Sequence, residues 1–337
     1  MIPEQQPLLA DFFGNRHATQ LRLCKGLSSC LLILVFGLGL IPGLACASGE
    51  PIQPLPTEVS VDRERAALGE ALFHDTSLSL DGQVSCASCH PLDRYGMDGQ
   101  PVSTGVLGRT GVMNAPSVYN AAFNYRQFWN ARAHTLAEQA RMPLITNLEM
   151  GLTPAQVEQR VAANPEYAQA FQRLYGTATP SLEQISDALA HFEQTLITAN
   201  SRFDRFLRGE LELTAREHRG YLQFKEFGCI ICHHGINVGG NSLQRIGVIH
   251  PFRWNDHTRD RYSITGDPED KNRFRVPSLR NVSQTAPYFH NGSVPTLEAA
   301  VQLMAYHNLG LHLSAEETAD LVQFLRTLEG ALPERQP

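Results

Sequence analysis

Spare cysteine, a long apolar run and an excess of positive charge are all missing from this 337-residue chain. Of its seven cysteines, Cys24, Cys30 and Cys46 fall within the first fifty residues. The other four are Cys86, Cys89, Cys229 and Cys232, and a histidine directly follows each pair. Beyond the first fifty residues no thiol is left over for a structural disulfide, and the trailing histidines argue against a redox C-x-x-C. The apolar run from Cys30 to Ile41 has twelve residues, short of the ~20 that a membrane-spanning helix needs. A formal charge of −6 with no basic cluster to offset it argues against a nucleic-acid partner. Strand signals are scarce. What remains, 42% apolar and 18% charged residues, is the composition of an ordinary globular protein long enough for two domains.

The first fifty residues differ in kind from the rest. Arg16, Arg22 and Lys25 precede the apolar run, and Ala45-Cys46-Ala47 supplies the small-residue pattern of a cleavage site. Residues 1–47 read as a signal peptide for export to the periplasm. An uncleaved anchor is the alternative; a lipid on Cys46 is a third reading, although Gly43-Leu44-Ala45 is a poor lipobox.

Downstream, four capping boxes announce helices: Thr153 with Gln156, Ser181 with Gln184, Thr214 with Glu217, and Ser314 with Glu317. In each, the hydroxyl takes an orphan amide of the first turn while the third residue reaches back. Ile185, Leu189, Phe192 and Leu196 form one face of a helical segment from Leu182 to Ala199, and Leu321, Phe324, Leu325 and Leu328 do the same later. Stretches 96–120 and 235–295, rich in Gly, Pro and Asn, read as long loops. The expected fold is mainly α, with two domains over 48–200 and 201–337.

The stretches Cys86-Ala87-Ser88-Cys89-His90 and Cys229-Ile230-Ile231-Cys232-His233 are each the attachment signature of a c-type haem, 143 residues apart. Positions i, i+3 and i+4 share a helix face, so two thioether sulfurs and one imidazole can meet the same porphyrin. His90 and His233 are thus the proximal iron ligands, and His234 points elsewhere. A methionine opposite His233 would fill that iron's sixth position and make the second haem an electron store. Met1, Met97, Met113, Met142, Met150 and Met304 are the candidates, and spacing alone does not choose among them.

Several long motifs resemble the bacterial di-haem cytochrome c peroxidases over about residues 55–330. They are "FHDTSLSLDGQVSCASCH", "NAPSVYNAAFNYRQFWNARA", "LAEQA", "NLEMG", "FEQTLITANSRFDRFLRG", "GCIICHHGINVGG" and "VPSLRNVSQTAPYFHNGSVPTLEAAVQLM". The resemblance implies two cytochrome c-like domains and hydrogen peroxide as substrate. Electrons would come from a small c-type cytochrome or a cupredoxin. It makes the haem on His90 peroxidatic, with Glu149 as acid/base and Gln139 orienting the peroxide. A carboxyl so placed can carry a proton from the near oxygen to the leaving one. Met304, fourteen residues after His290, becomes the distal ligand of the second haem. Tyr306, which MauG-like relatives would need in that role, lies two positions on and about 200° around a helix. Trp129 would bridge the two haems. The resemblance also implies a calcium ion held by Asn114, Thr285 and Pro287, an oxygen set that suits a hard cation, and a homodimer.

One departure stands out. Many members place a histidine in the loop after the first haem to close the resting iron, but the aligned residue is Val106, and residues 91–133 contain no histidine. The iron is then either open at rest, or capped by Met113, or held by water or another residue. Two rival functions remain: a MauG-like oxidase acting on tryptophan of a partner protein, and a non-catalytic di-haem electron carrier.

Overall fold

Helix caps written into the sequence set most of the element boundaries. The computed structural model describes residues 49–252 and 260–333, so the leader expected over 1–47 lies outside the described residues. Eleven helices follow in order among them: α1 (Arg63–His74), α2 (Cys86–Cys89), α3 (Leu136–Ile145), α4 (Pro154–Ala163), α5 (Pro165–Tyr175), α6 (Leu182–Glu193), α7 (Arg202–Leu207), α8 (Ala215–Glu226), α9 (Tyr262–Thr265), α10 (Leu297–Met304) and α11 (Ala315–Arg326). All four expected capping boxes form, at the starts of α4, α6, α8 and α11. None of the helices described is long and apolar enough to cross a membrane.

Two expectations need correcting in detail. The stripe of α6 is buried as expected, but the helix ends at Glu193, not Ala199. Beyond it the Leu196 carbonyl accepts the amide of Asn120 at 2.8 Å, which turns the chain out of its helical ladder. Within the stretch read as loop, β1 (Leu243–Arg245) and β2 (Arg273–Arg275) pair antiparallel, with Gln244 opposite Phe274.

Buried side chains gather in two clusters. One runs from Leu68 to Leu196 and includes Phe73, Phe171 and Ile185. The other draws on Phe203 to Leu328, with Tyr221 and Phe324 at its centre. Each chain end crosses over: Ile52 packs in the second cluster, while Leu332 packs against the first. The crossing at Ile52 is held by its pairing with Gly235 and by a fully buried ion pair, Arg280 with Asp204 at 2.9 Å. Asp204 also accepts the amide of Leu55, and Arg280 donates to the Gln53 carbonyl.

The two halves repeat one another. In the first, Gly69 of α1 lies against α6, where a Cβ would come 2.0 Å from the Ala188 oxygen. In the second, Gly220 of α8 lies against α11, with the same 2.0 Å to the Asp320 oxygen. A second correspondence is visible in the sequence once the structure points to it. Residues 114–143 align without a gap on residues 275–304, each 161 positions later, matching Pro116, Ser117, Asn120, Phe128, Asn130, Thr135 and Leu136 with Pro277, Ser278, Asn281, Phe289, Asn291, Thr296 and Leu297. Backbone angles follow: Asn120 and Asn281 have φ of 60° and 59°, Phe128 and Phe289 of 68° and 69°. Thr135 caps α3 and Thr296 caps α10. The repeats also meet reciprocally. The Asn114 amide donates to His290 O at 2.8 Å, and the Arg275 amide, at the matching position, donates to Trp129 O at 2.7 Å. Asn120 and Asn281 both donate to the one Thr198 hydroxyl, at 2.8 Å each.

Candidate active site

Both C-x-x-C-H motifs close a single turn. The amide of His90 donates to Cys86 O at 2.9 Å, and that of His233 to Cys229 O at 3.0 Å. The first turn is α-helical; the second departs from the expected helix, since residues Cys229–Ile231 wind as 3-10 after Gly228 in the left-handed region at φ 91°. Each imidazole is then fixed by its Nδ1, which faces a carbonyl oxygen: Gly96 at 3.0 Å for His90 and Val238 at 3.4 Å for His233. A carbonyl can only accept, so Nδ1 carries the proton and Nε2 keeps its lone pair for a metal. Burial favours the same neutral state, lowering the pKa of His90 and taking that of His233 down to about 4. The ring of His234 turns to the Asn241 amide instead.

The four cysteines are free of disulfides. Burial pushes the thiol of Cys86 up to about 12 and that of Cys229 up to about 11. Reactive redox pairs show the opposite shift, which fits these thiols to covalent attachment.

Around the second motif the side chains fit a haem. One cavity is lined by Cys229, Cys232, His233 and Met304, with Leu321 and Leu325 among its apolar walls. A thioether and an imidazole on one cavity are the donor set of an electron-transfer haem. Tyr306 does not line this cavity. A π-helical turn, Ala305–Leu309, follows Met304, and Tyr306 stacks on His250 with ring centroids 4.3 Å apart.

The residues gathered at the first motif differ in character. Glu149, half-buried, acts electrostatically on both Cys86 and Cys89. Burial raises the pKa of its carboxyl, and the Arg132 guanidinium opposes the rise. Arg132 itself sits 3.3 Å above the centre of the Phe128 ring and donates to Asn130 Oδ1 at 3.1 Å. Gln139 is half-buried on α3, and its amide group has no hydrogen-bond partner among the described residues. The loop that lacks a histidine is pinned beside Glu149: the Val106 amide donates to Glu149 O at 2.8 Å, and Val106 is fully buried in the first core. Gly105 is required there, because a Cβ would stand 2.1 Å from Leu148 O. Met113 is half-buried further along the same loop.

Trp129 stands at the seam of the repeat. Its Nε1 donates to Asn114 O at 3.0 Å, and its ring meets His290 edge-on at 6.3 Å. His290 is its counterpart in the second repeat and stacks on Phe274 at 4.2 Å. Asn114, Thr285 and Pro287 line the cavity together with Trp129. The Asn114 Nδ2 donates to Gln100 O and Pro101 O, while Oδ1 receives no hydrogen bond among the described residues. An amide oxygen left over in this way suits a hard cation.

Motif spacing alone passes over Arg132, Pro143 and Glu193. The repeat is the signal that exposes the first two. It sets Pro143 at the position of Met304, Arg132 at that of Ser293, and Gln139 at that of Ala300.

Residues 63–212 match the family described as di-haem cytochrome c peroxidase, and residues 274–304 match a RoxA-like, cytochrome c-like family. The chain is 39% identical to the cytochrome c551 peroxidase of Nitrosomonas europaea, over 92% of this chain and 93% of that protein. It is 43% identical to the Escherichia coli cytochrome c peroxidase Ccp over 83% of its length, but spans only 61% of that relative. Among solved structures, that of a MauG-like protein associated with microbial copper homeostasis has a TM-score of 0.73 at 29% identity, covering 86% of this chain and 95% of that one.

Proposed function

Because the chain belongs to the di-haem cytochrome c peroxidase family, we propose that it reduces hydrogen peroxide to two waters, with electrons from a small c-type cytochrome or a cupredoxin. The observation that carries this reading is the pairing of Pro143 with Met304 at matched positions of the repeat. Proline has no side-chain donor for iron, whereas the thioether of Met304 does. The first half therefore leaves room for a substrate where the second half supplies a ligand.

When bound, the two haems supply an iron for peroxide on His90 and a store for an electron on His233. The residues around the first site then handle protons and geometry. Glu149 takes the proton of the near peroxide oxygen and delivers it to the leaving oxygen, a task for a carboxyl whose pKa stands above the usual range. Arg132 keeps that rise in check, so that the carboxylate is still available as a base. Gln139 turns its unpartnered amide to the peroxide. Trp129 supplies an indole between the halves. Val106, buried where a closing histidine would stand, supports an iron open at rest, with Met113 as the competing cap. Asn114, Thr285 and Pro287 hold calcium at the seam and so keep the two repeats in register.

The same reading divides the chain at about residue 200, supported by the two hydrophobic clusters. It places the protein in the periplasm, supported by the leader pattern and by the attachment motifs, and takes it as a homodimer, which light scattering tests. The decisive experiment is an electron paramagnetic resonance spectrum of the fully oxidised holoenzyme, paired with peroxide turnover against reduced cytochrome c. A high-spin ferric signal and turnover without a lag are expected. A wholly low-spin spectrum would overturn the open iron, and no peroxide consumption would overturn the peroxidase reading itself.

A further inference from the structure

Glu193 is a buried carboxyl for which the chemistry above has no task. It lies on α6 with 6% of its surface exposed, and among the described residues nothing hydrogen-bonds or ion-pairs with its side chain. A buried acid without a partner works against folding. Its place in the repeat indicates what it faces. The crossing of α1 with α6 uses Ala188 and Phe192 against Gly69, and the crossing of α8 with α11 uses Asp320 and Phe324, each 132 residues after its counterpart, against Gly220. The same spacing carries Glu193 onto Leu325, and Leu325 lines the cavity of Cys229, Cys232 and His233. Glu193 thus stands in the first half where the second half turns a leucine toward its cofactor. Its electrostatic influence on the Cys86 thiol puts it on the side of the first attachment site.

Several charged groups on the elements packed against α6 are engaged elsewhere, and Arg63, Glu70 and His74 of α1 and Arg141 of α3 exert no charge effect on the Glu193 carboxyl. Arg65 of α1 pairs with Asp187, and Glu138 of α3 accepts the His134 amide. Glu158 of α4 accepts the Leu182 amide, and Arg160 donates to Ser77 O and Ser79 O. On α6 itself, His191 turns to Asp187. Burial alone acts on the Glu193 carboxyl, pushing it up to about 8.

We propose that Glu193 couples protonation to the redox state of the first haem, binding one proton when that haem gains an electron and releasing it when the electron leaves. This rests on the reading that a haem is attached at Cys86 and Cys89. Reduction removes one positive charge from the iron, and a buried carboxylate that loses a nearby compensating charge takes up a proton. The electron comes from the donor protein by way of the second haem, and the proton from solvent. Both depart when peroxide is reduced, in the one-to-one ratio that conversion of peroxide to two waters requires. Leu325 cannot titrate, so the second haem has no such coupling from this position.

Redox titration of the holoenzyme by visible absorption, repeated from mildly acidic to mildly alkaline pH, tests this. In the wild type the first haem's potential should fall as pH rises, while the second stays level. E193Q and E193L should flatten the first haem's response and leave the second alone. E193L, which installs the residue of the other half, should also raise the melting temperature, so a variant that folds is at hand. A pyridine haemochrome count accompanies each titration. Fewer than two haems in the wild type would overturn the haem reading and this proposal with it. Two haems with an unaltered pH response in both variants would overturn the role of Glu193 alone.

Discussion

The two halves of this protein share a backbone and differ in a few side chains, and those few set a site with Glu149 and Arg132 apart from a site with the thioether of Met304. Helix crossings at Gly69 and Gly220, αL turns at Asn120 and Asn281, and capped helices at Thr135 and Thr296 coincide in detail. Ser117 and Ser278 each accept the amide two residues on, both at 3.1 Å. Against this constant frame, the first half carries Arg132, Gln139, Pro143 and Glu193 where the second carries Ser293, Ala300, Met304 and Leu325. Three of the first set are polar and it lacks a side-chain donor for iron at the matched position; three of the second are apolar and it includes one. The difference between the two sites is a matter of substitution within a repeated scaffold, not of a different scaffold.

The strongest way to break the comparison is at Glu149. Glu149→Gln should lower kcat/KM for peroxide by about 100- to 10,000-fold, the usual share of a general acid–base group. Since the ionised carboxylate accepts the first proton, wild-type activity should fall as pH drops through a limb lying above the ordinary carboxylate range. A pH–rate profile should show that limb in the wild type and lose it in the variant.

Stability differs between the halves at the matched pair Arg280 and Tyr119. Asp204→Ala strands a guanidinium that is fully buried, and a denaturant titration should register a loss of about 3–5 kcal/mol. Tyr119→Phe removes only the hydroxyl donated to Leu92 O at 2.9 Å, which should cost about 1 kcal/mol in the same assay.

Two smaller tests ask whether the halves are equivalent where they look it. Gly69→Ala and Gly220→Ala each push a Cβ to 2.0 Å from a helix oxygen, and each should lose about 1–3 kcal/mol or more by thermal melting. Unequal losses would show that one crossing yields more easily. Ser181→Ala and Ser314→Ala remove the caps of α6 and α11, and each should cost about 1 kcal/mol, read from the denaturant midpoint.

Much of the fold was legible residue by residue. The four capping boxes and the two apolar stripes depend on neighbours three or four positions away, and such rules survive into the tertiary structure. The attachment motifs were legible for the same reason. The end of α6 was not, because the Asn120 amide that draws away Leu196 O comes from 76 residues earlier in the chain. Nor was the β1–β2 pair, three residues on each side with no alternation long enough to announce it.

Local rules by themselves determined where helices start and which histidines and cysteines form the two attachment motifs. Only the tertiary structure decided which polar groups share a site. Glu149 comes within electrostatic reach of the first motif, Trp129 meets His290, and Glu193 takes the place of Leu325, each across segments distant in sequence. Burial, moreover, is a property of the packed whole. A carboxyl such as Glu193 carries no mark in the sequence that its helix will hold it out of water, and the perturbed titration follows from that alone.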